Sequence, residues 1–320
     1  MNVKKIMSII LPIYNEEEII TELVARLEDL LTQLRKNFSI ERSSIEIIFV
    51  NDGSKDKSFF LLKEICEQKD NYKIINLSRN FGHQIAITAG MDLSQGESVV
   101  ILDADLQDPP EFIVDLYQKL LEGYDVVYAV RKIRKGETFF RLTCINLFYK
   151  VLTFLAAIDI PGATGDFRIM KRKVVNAHLQ MREKSRFIRG MISWCGFKQI
   201  GIEYCRNERY AGVTKYPYLK LAKLAWDGIT SFSYIPLKLA SYAGFLTTFL
   251  GVIYGLYALY SKIFSNKIIS GWTSLVLIVL ILGGMQLVIL GIIGEYIGRI
   301  SEECKNRPLY IIEGIYEKRI

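Results

Sequence analysis

Histidine is nearly absent from this chain, with two in 320 residues, and the five cysteines are odd in number, irregularly spaced and without a CxxC pair. That usage excludes a disulfide framework and a cysteine-built zinc site, and reads as reduced thiols. Internal repeats and low-complexity segments are missing. So is a secretion signal: the apolar stretch in "MNVKKIMSIILPIYNEE" is short and runs straight into an acidic, helix-like segment, so the N-terminal part is expected to stay on the side where it is made. No basic arm or nucleic-acid motif accompanies the formal charge of +7. The excess therefore points away from nucleic acid and toward anionic lipid headgroups or phosphorylated ligands.

Charge itself is lacking in two places. Residues 239–260 and 268–294 contain no charged side chain. Each run exceeds the roughly 20 residues needed to cross a bilayer core, which predicts transmembrane helices over 236–262 and 268–296. Lys215, Lys220, Lys223 and Lys238 precede the first run, and Arg299, Lys305 and Arg307 follow the second. The connecting "SKIFSNK" holds only Lys262 and Lys267. The positive-inside rule thus puts both flanks in the cytoplasm, with 297–320 as a cytoplasmic tail. Small residues in "GFLTTFLGVIYG" and "GGMQLVILGIIG" suit close helix packing, within the hairpin or between copies in a homo-oligomer. Residues 139–158 are strongly apolar but carry Arg141 and Lys150, and 217–235 show helical periodicity with lysines on one face. Both are read as amphipathic interfacial helices.

What remains, residues 1–216, alternates buried strands with helices. "IMSIILPIY", "IEIIFVND", "YKIINLS" and "VVILDAD" are apolar runs, and "NEEEIITELVARLEDLLTQLRK" has helical spacing with acidic residues in its first turn. The alternation predicts an α/β fold with a largely parallel sheet. Polar residues follow each strand: Asn15 and Glu16, Asp52, Arg79 and Asn80, then Asp103 and Asp105. Ligands in open α/β sheets bind outside the carboxyl ends of strands, so these ends are expected to line one crevice.

The last pair stands in "ILDADLQDPPE". Two carboxylates one residue apart repel each other, and a divalent cation would offset the repulsion; hard oxygen ligands favour Mg²⁺ or Mn²⁺, which complete their shells with substrate phosphates. The bland reading, a proline-led helix start, accounts for Asp108 to Glu111 but not for Asp103 and Asp105.

In this setting "LPIYNEEE", "VNDGSKDKS", "LSRNFGHQIAITAGMDLSQGE", "LDADLQDPPE", "GDFRIMKRKV" and "RNERYAGVTKY" together resemble the GT-A-fold inverting glycosyltransferases of family 2. The closer likeness is to their polyisoprenyl-phosphate branch, which includes dolichol-phosphate mannose synthases and bacterial undecaprenyl-phosphate glucosyl- and aminoarabinosyl-transferases. The resemblance implies a Rossmann-like nucleotide-sugar domain over 1–216, anchored by the hairpin in the bacterial inner membrane. It implies that Pro12, Tyr14, Glu16, Asp52, Asp103 and Ala104 surround the nucleotide sugar, with Asp52 on the base. Asp103, Asp105 and Gln107 would hold Mg²⁺ or Mn²⁺. Arg131, Arg206, Arg209 and Lys215 would bind donor or acceptor phosphates. Asp166 in "ATGDFRIMK" would orient the acceptor or act as a weak base; the alternative is a turn aspartate paired with Arg168. His83 reads as a polar helix-start residue.

The implied activity is transfer of one sugar, glucose before mannose or aminoarabinose, from a nucleoside diphosphate to polyisoprenyl phosphate, with a separate flippase for the product left open. A non-catalytic nucleotide-sugar-binding scaffold on the same fold is the competing class; a small transporter fits two spans poorly. The Q-x-x-R-W motif of processive polysaccharide synthases is absent.

Overall fold

A computed structural model describes residues 4–132, 164–205, 235–264 and 271–318. They form two compact units. One comprises 4–132, 164–205 and 307–318, the other 235–264 and 271–306.

The first unit is built on strands β1 (Met7–Ile13), β2 (Ile45–Asn51), β3 (Tyr72–Leu77), β4 (Ser98–Ile101), β5 (Val126–Arg131), β6 (Thr164–Lys171), β7 (Gln199–Tyr204) and β8 (Ile312–Glu317). Its helices are α1 (Ile20–Phe38), α2 (Ser58–Gln68), α3 (His83–Leu93), α4 (Ile113–Leu121), α5 (Arg172–Gln180) and α6 (Ile188–Trp194). The sheet order is β7-β5-β6-β4-β1-β2-β3-β8. β1 runs parallel to β2 and β4, β2 to β3 and β5 to β7, whereas β6 opposes β4 and β5, and β8 opposes β3.

Strand alternation sends side chains to two cores, one on each face. Ile9, Leu11, Ile47 and Phe49 meet Leu23, Leu27 and Leu30 of α1, Leu62 of α2 and Leu116 of α4. Ile10, Ile48 and Val50 meet Ala86 and Ile87 of α3, Val174 and Val175 of α5 and Ile188 and Ile192 of α6. Burial on both faces explains why these strands read as unbroken apolar runs. Pro12 stands in β1 beyond Ile10–Ile101, the last register pair with β4, so its missing N–H interrupts no ladder there.

The expected strand through Asp105 ends at Ile101 instead. Residues 102–109 form a turn in which Leu106 takes a left-handed backbone (φ 57) and is buried, pinning the acidic loop to the core. β6 does not read as an unbroken apolar run, because Asp166 and Arg168 alternate with Phe167 and Ile169 and Lys171 closes the strand. The tail expected over 297–320 is also different: the last helix continues to Cys304, and β8 returns to the sheet.

The second unit consists of α7 (Ile235–Phe264) and α8 (Trp272–Cys304). Within them, 237–257 and 281–304 are long and apolar enough to cross a membrane. Ser241, Thr247 and Thr248 donate to the carbonyls of Leu237, Ala243 and Gly244 at 2.9–3.1 Å, keeping their hydroxyls satisfied in an apolar setting. Arg299 Nε donates to Glu295 one turn earlier at 3.0 Å. The predicted interfacial segments, 139–158 and 217–235, lie outside the described residues except for Ile235, the first residue of α7.

His178 on α5 is fully buried and accepts from Arg186 Nη2 at 2.8 Å. Burial, with the charges of Arg186, Arg168 and Arg182, pushes its imidazole down to about 3. The unfolded chain therefore binds a proton below pH ~6.5 that the folded chain refuses until about pH 3. This group's contribution is fully present above pH ~6.5 and is lost as pH falls, by at most ~1.4 kcal/mol per pH unit. Thermal unfolding of detergent-solubilised protein between pH 6.5 and 4 should be less acid-sensitive in His178→Asn than in wild type; parallel pH profiles would exclude the assignment.

Candidate active site

The carboxyl ends of β1, β2 and β3 are stitched to one another by side-chain to backbone hydrogen bonds. Asn15, left-handed at φ 55, receives Lys55 N on Oδ1 at 2.8 Å, and its own amide donates to Ser54 Oγ at 3.1 Å. Glu16 N donates to Ser58 Oγ, and Glu17 exchanges bonds with Asp56 and Lys57 N. Asp56 receives Ser58 N at 3.0 Å at the start of α2, while Ser54 serves the β1 loop. Gly53 (φ 66) lies so close to the next strand end that a Cβ would approach Arg79 C and Asn80 N to 2.5 Å. Both its backbone conformation and its space require glycine.

Asp52 is 3 % exposed, and its two oxygens accept Phe81 N at 2.7 Å and Gly82 N at 2.9 Å. Burial raises its carboxyl above the ordinary value against the pull of these amides. One lone pair on each oxygen is thus committed to shaping the entry into α3. Tyr14 is 41 % exposed at the mouth, Pro12 and Glu16 are half-buried, and Ala104 is buried.

α3 begins at His83, whose Nε2 lies 3.3 Å from Asp103 Oδ1 and 3.3 Å from Asp166 Oδ2. The imidazole bridges the β4 end and β6. Burial alone would lower its pKa, but the hydrogen bond it donates to Asp166 and the charges of Asp103 and Asp166 push it up to about 9. Asp103 is raised as well: burial first, then Asp166, Asp108 and Asp105, lift its carboxyl to about 6 despite His83. Its Oδ1 is buried and accepts no hydrogen bond. Asp105 is half-buried and receives Gln107 N at 3.2 Å. A buried carboxylate oxygen that takes no hydrogen bond, set beside His83 and among other carboxylates, is a setting that a hard divalent cation relieves further, so the residues fit a metal. Among the described residues no three carboxylate, thiolate or imidazole groups form a closed cage, and further ligands would have to come from other oxygen groups and water.

Asp166 on β6 is 3 % exposed and saturated. Arg189 Nε on α6 donates to Oδ1 at 2.7 Å and Nη2 to Oδ2 at 3.3 Å, and Gln84 Nε2 donates to Oδ2 at 3.0 Å. Gln84 Oε1 in turn receives Ile188 N at 2.9 Å, fixing α6 against α3. Burial would raise the Asp166 carboxyl, but Arg189 and His83 hold it well below the usual carboxylate range. Arg168, the partner considered from sequence, instead donates to the backbone carbonyls of Asp166 and Gly165. Arg189, Gln84 and the bridging position of His83 escape sequence reasoning. They lie 23, 82 and 83 positions from Asp166, and no short motif joins them.

Arg131 ends β5 and braces the rim. It lies 3.5 Å from buried Asp108 and donates Nε to Tyr204 Oη at 3.4 Å, while Tyr204 donates to Asp108. Arg206, Arg209 and Lys215 lie outside the described residues.

Residues 8–179, which carry these strands and the acidic turn after β4, match a known family, described as glycosyl transferase family 2. The chain belongs to that family. Its α/β sheet is of the GT-A type, and it is a glycosyltransferase. Residues 235–300 match a second family, the GtrB C-terminal hairpin, in agreement with the two long apolar helices. Relatives are similar along nearly their whole length. An uncharacterized glycosyltransferase, YkcC of Bacillus subtilis, is 53 % identical, covering 98 % of this chain and 96 % of the relative. An uncharacterized glycosyltransferase of Synechocystis is 46 % identical, covering 97 % and 95 %. The SfII prophage-derived bactoprenol glucosyl transferase of Shigella flexneri is 36 % identical, covering 96 % and 97 %.

Proposed function

We propose that this glycosyltransferase moves a single glucose from UDP-glucose to a polyisoprenyl phosphate of the bactoprenol class. The observation that carries the reading is the full-length similarity, hairpin included, to a bactoprenol glucosyl transferase. The acidic turn supports it, because breaking the anomeric C–O bond leaves negative charge on a departing diphosphate.

In this reading Pro12, Tyr14, Glu16, Asp52, Asp103 and Ala104 surround the donor. Asp103, Asp105 and Gln107 hold Mg²⁺ or Mn²⁺, which when bound offsets charge on the diphosphate. Arg131, Arg206, Arg209 and Lys215 serve phosphates. The acceptor phosphate has a second pKa near ~6 and is already a nucleophile at neutral pH, so positioning and charge compensation matter more than a strong base. Asp166 suits that demand as an orienting group: its oxygens are occupied by donors, and it holds Arg189 and His83 where a phosphate can meet them. The hairpin over 236–262 and 268–296 keeps the enzyme at the inner membrane with both flanks cytoplasmic, where the nucleotide sugar is made.

Full-length protein in detergent, incubated with Mg²⁺, labelled UDP-glucose and undecaprenyl phosphate, should give label in an organic-extractable product that mild acid releases as glucose. GDP-mannose and UDP-aminoarabinose in parallel assign the sugar. No lipid-linked label with any of the donors would favour the scaffold reading instead.

A further inference from the structure

Two asparagines are buried side by side at the carboxyl ends of β2 and β3. Asn51 is 2 % and Asn76 7 % exposed, and they are register partners in the parallel ladder. Buried amides are costly unless their donors and acceptors are paired. Here the pairing runs outward to the C-terminal strand. Asn51 Nδ2 donates to Asn76 Oδ1 at 2.6 Å, and Asn76 Nδ2 donates to Glu313 Oε2 at 2.7 Å. At the inner end Asn51 Oδ1 receives Ser54 N at 3.4 Å, within the turn that follows Asp52.

Glu313 reaches this pair through an irregularity. β8 pairs Gly314 with Asn76 and Ile312 with Leu77, so Glu313 is the extra residue of a β-bulge. Bulges re-aim side chains, and they recur at sheet edges beside active sites. Residue 313 lies beyond both matched family segments, which end at 179 and 300.

The chemistry of the chain is directional. A carboxylate only accepts. Asn76 must therefore turn its NH₂ toward Glu313 and its oxygen toward Asn51. Asn51 must then turn its own NH₂ toward Asn76, which leaves its oxygen facing Ser54 N. A donor at position 313 would reverse both amides and set an NH₂ against the Ser54 N–H.

We infer that Glu313 is a positioning residue for the nucleotide: through Asn76 and Asn51 it fixes the Asp52–Ser54 turn in its donor-binding form. The inference rests on the reading that this turn contacts the donor. It makes the strand following the second apolar helix part of the donor site's support.

The test compares donor KM, kcat at saturating acceptor, and thermal unfolding midpoint for full-length wild type, Glu313→Gln, Glu313→Ala, Glu313→Lys and Asp52→Asn. One hydrogen bond corresponds to about 3–10-fold in affinity. Glu313→Ala should raise donor KM by about that factor, with kcat and acceptor KM changed less than about twofold. Glu313→Gln, which keeps an accepting oxygen, should recover most of the loss, and Glu313→Lys should be the weakest donor binder. If Glu313→Ala does not fold, the Gln and Lys variants decide, since both retain a long side chain. Asp52→Asn raising donor KM while Glu313→Lys and Glu313→Gln match wild type would overturn the relay and leave the site reading intact. Asp52→Asn leaving donor KM unchanged would overturn the site reading, and the relay with it.

Discussion

Replacing Asp105 by alanine should lower kcat by about a thousandfold at saturating donor and acceptor, without lowering the unfolding temperature. The two halves of that expectation have different causes. Charge stabilisation at the departing diphosphate is worth several kcal/mol, and each ~1.4 kcal/mol is tenfold in rate. The folded protein, by contrast, is relieved of one like charge. Asp105, with Asp108 and Asp166, is among the like charges that raise Asp103, and removing one relieves repulsion. The substitution forfeits the contact from Gln107 N at 3.2 Å, a cost on the order of 1 kcal/mol. Steady-state kinetics and thermal unfolding on the same preparation separate the effects. Wild type treated with EDTA should show the same loss, and excess Mg²⁺ or Mn²⁺ should restore it. Near-full activity in Asp105→Ala would remove the metal–diphosphate scheme, and a matching fall in stability would reduce the residue to a structural one.

Asp166→Asn is expected to cut turnover about a hundredfold while donor KM moves less than about twofold. The carboxylate gathers Arg189, Gln84 and His83. An asparagine can still accept from Arg189, but its NH₂ would then face the donors of Gln84 and His83. The cations lose their placement, and a partly buried arginine loses its counter-charge. The pH profile distinguishes orientation from base catalysis. Because Asp166 is held well below the usual carboxylate range, its proton is gone throughout the neutral and mildly acidic region. An acid limb near pH ~6 in kcat/KM for the lipid would combine the acceptor's second ionisation with that of Asp103, whose carboxyl is raised to about 6. That limb should survive in Asp166→Asn. Its disappearance would show that Asp166 accepts the proton, contrary to the orienting role.

Much of this architecture is legible in the residues because local physics dictates it. "MSIILPI" and "IEIIFVN" have no polar face, so they must be covered on both sides. Strands of that kind, separated by helices, fold as parallel neighbours whose carboxyl ends converge. The turn residues Asn15, Asp52, Gly53 and Asp103 follow those strands, and their placement was predictable from the strands alone. The two uncharged runs announce helices through bilayer dimensions. β6 was not legible as a strand because Phe167 and Ile169 alternate with Asp166 and Arg168 over only four residues, and a strand inserted antiparallel between β4 and β5 leaves no trace in local pattern. Arg189 gave no signal either. Nothing in "FIRGMIS" marks its arginine as the partner of a carboxylate on another strand.

The sequence by itself determined the class of fold, the membrane-length helices and the acidic turn, because each follows from the spacing of side chains along a few adjacent residues. Tertiary structure alone decided three other things: that Asp166 is saturated, that His83 stands between two carboxylates, and that the C-terminal strand closes on the asparagines behind Asp52. Those contacts join residues separated by 20 to 237 positions. Only packing brings such groups together, and only at that range do the charges and lone pairs that set their behaviour come into play.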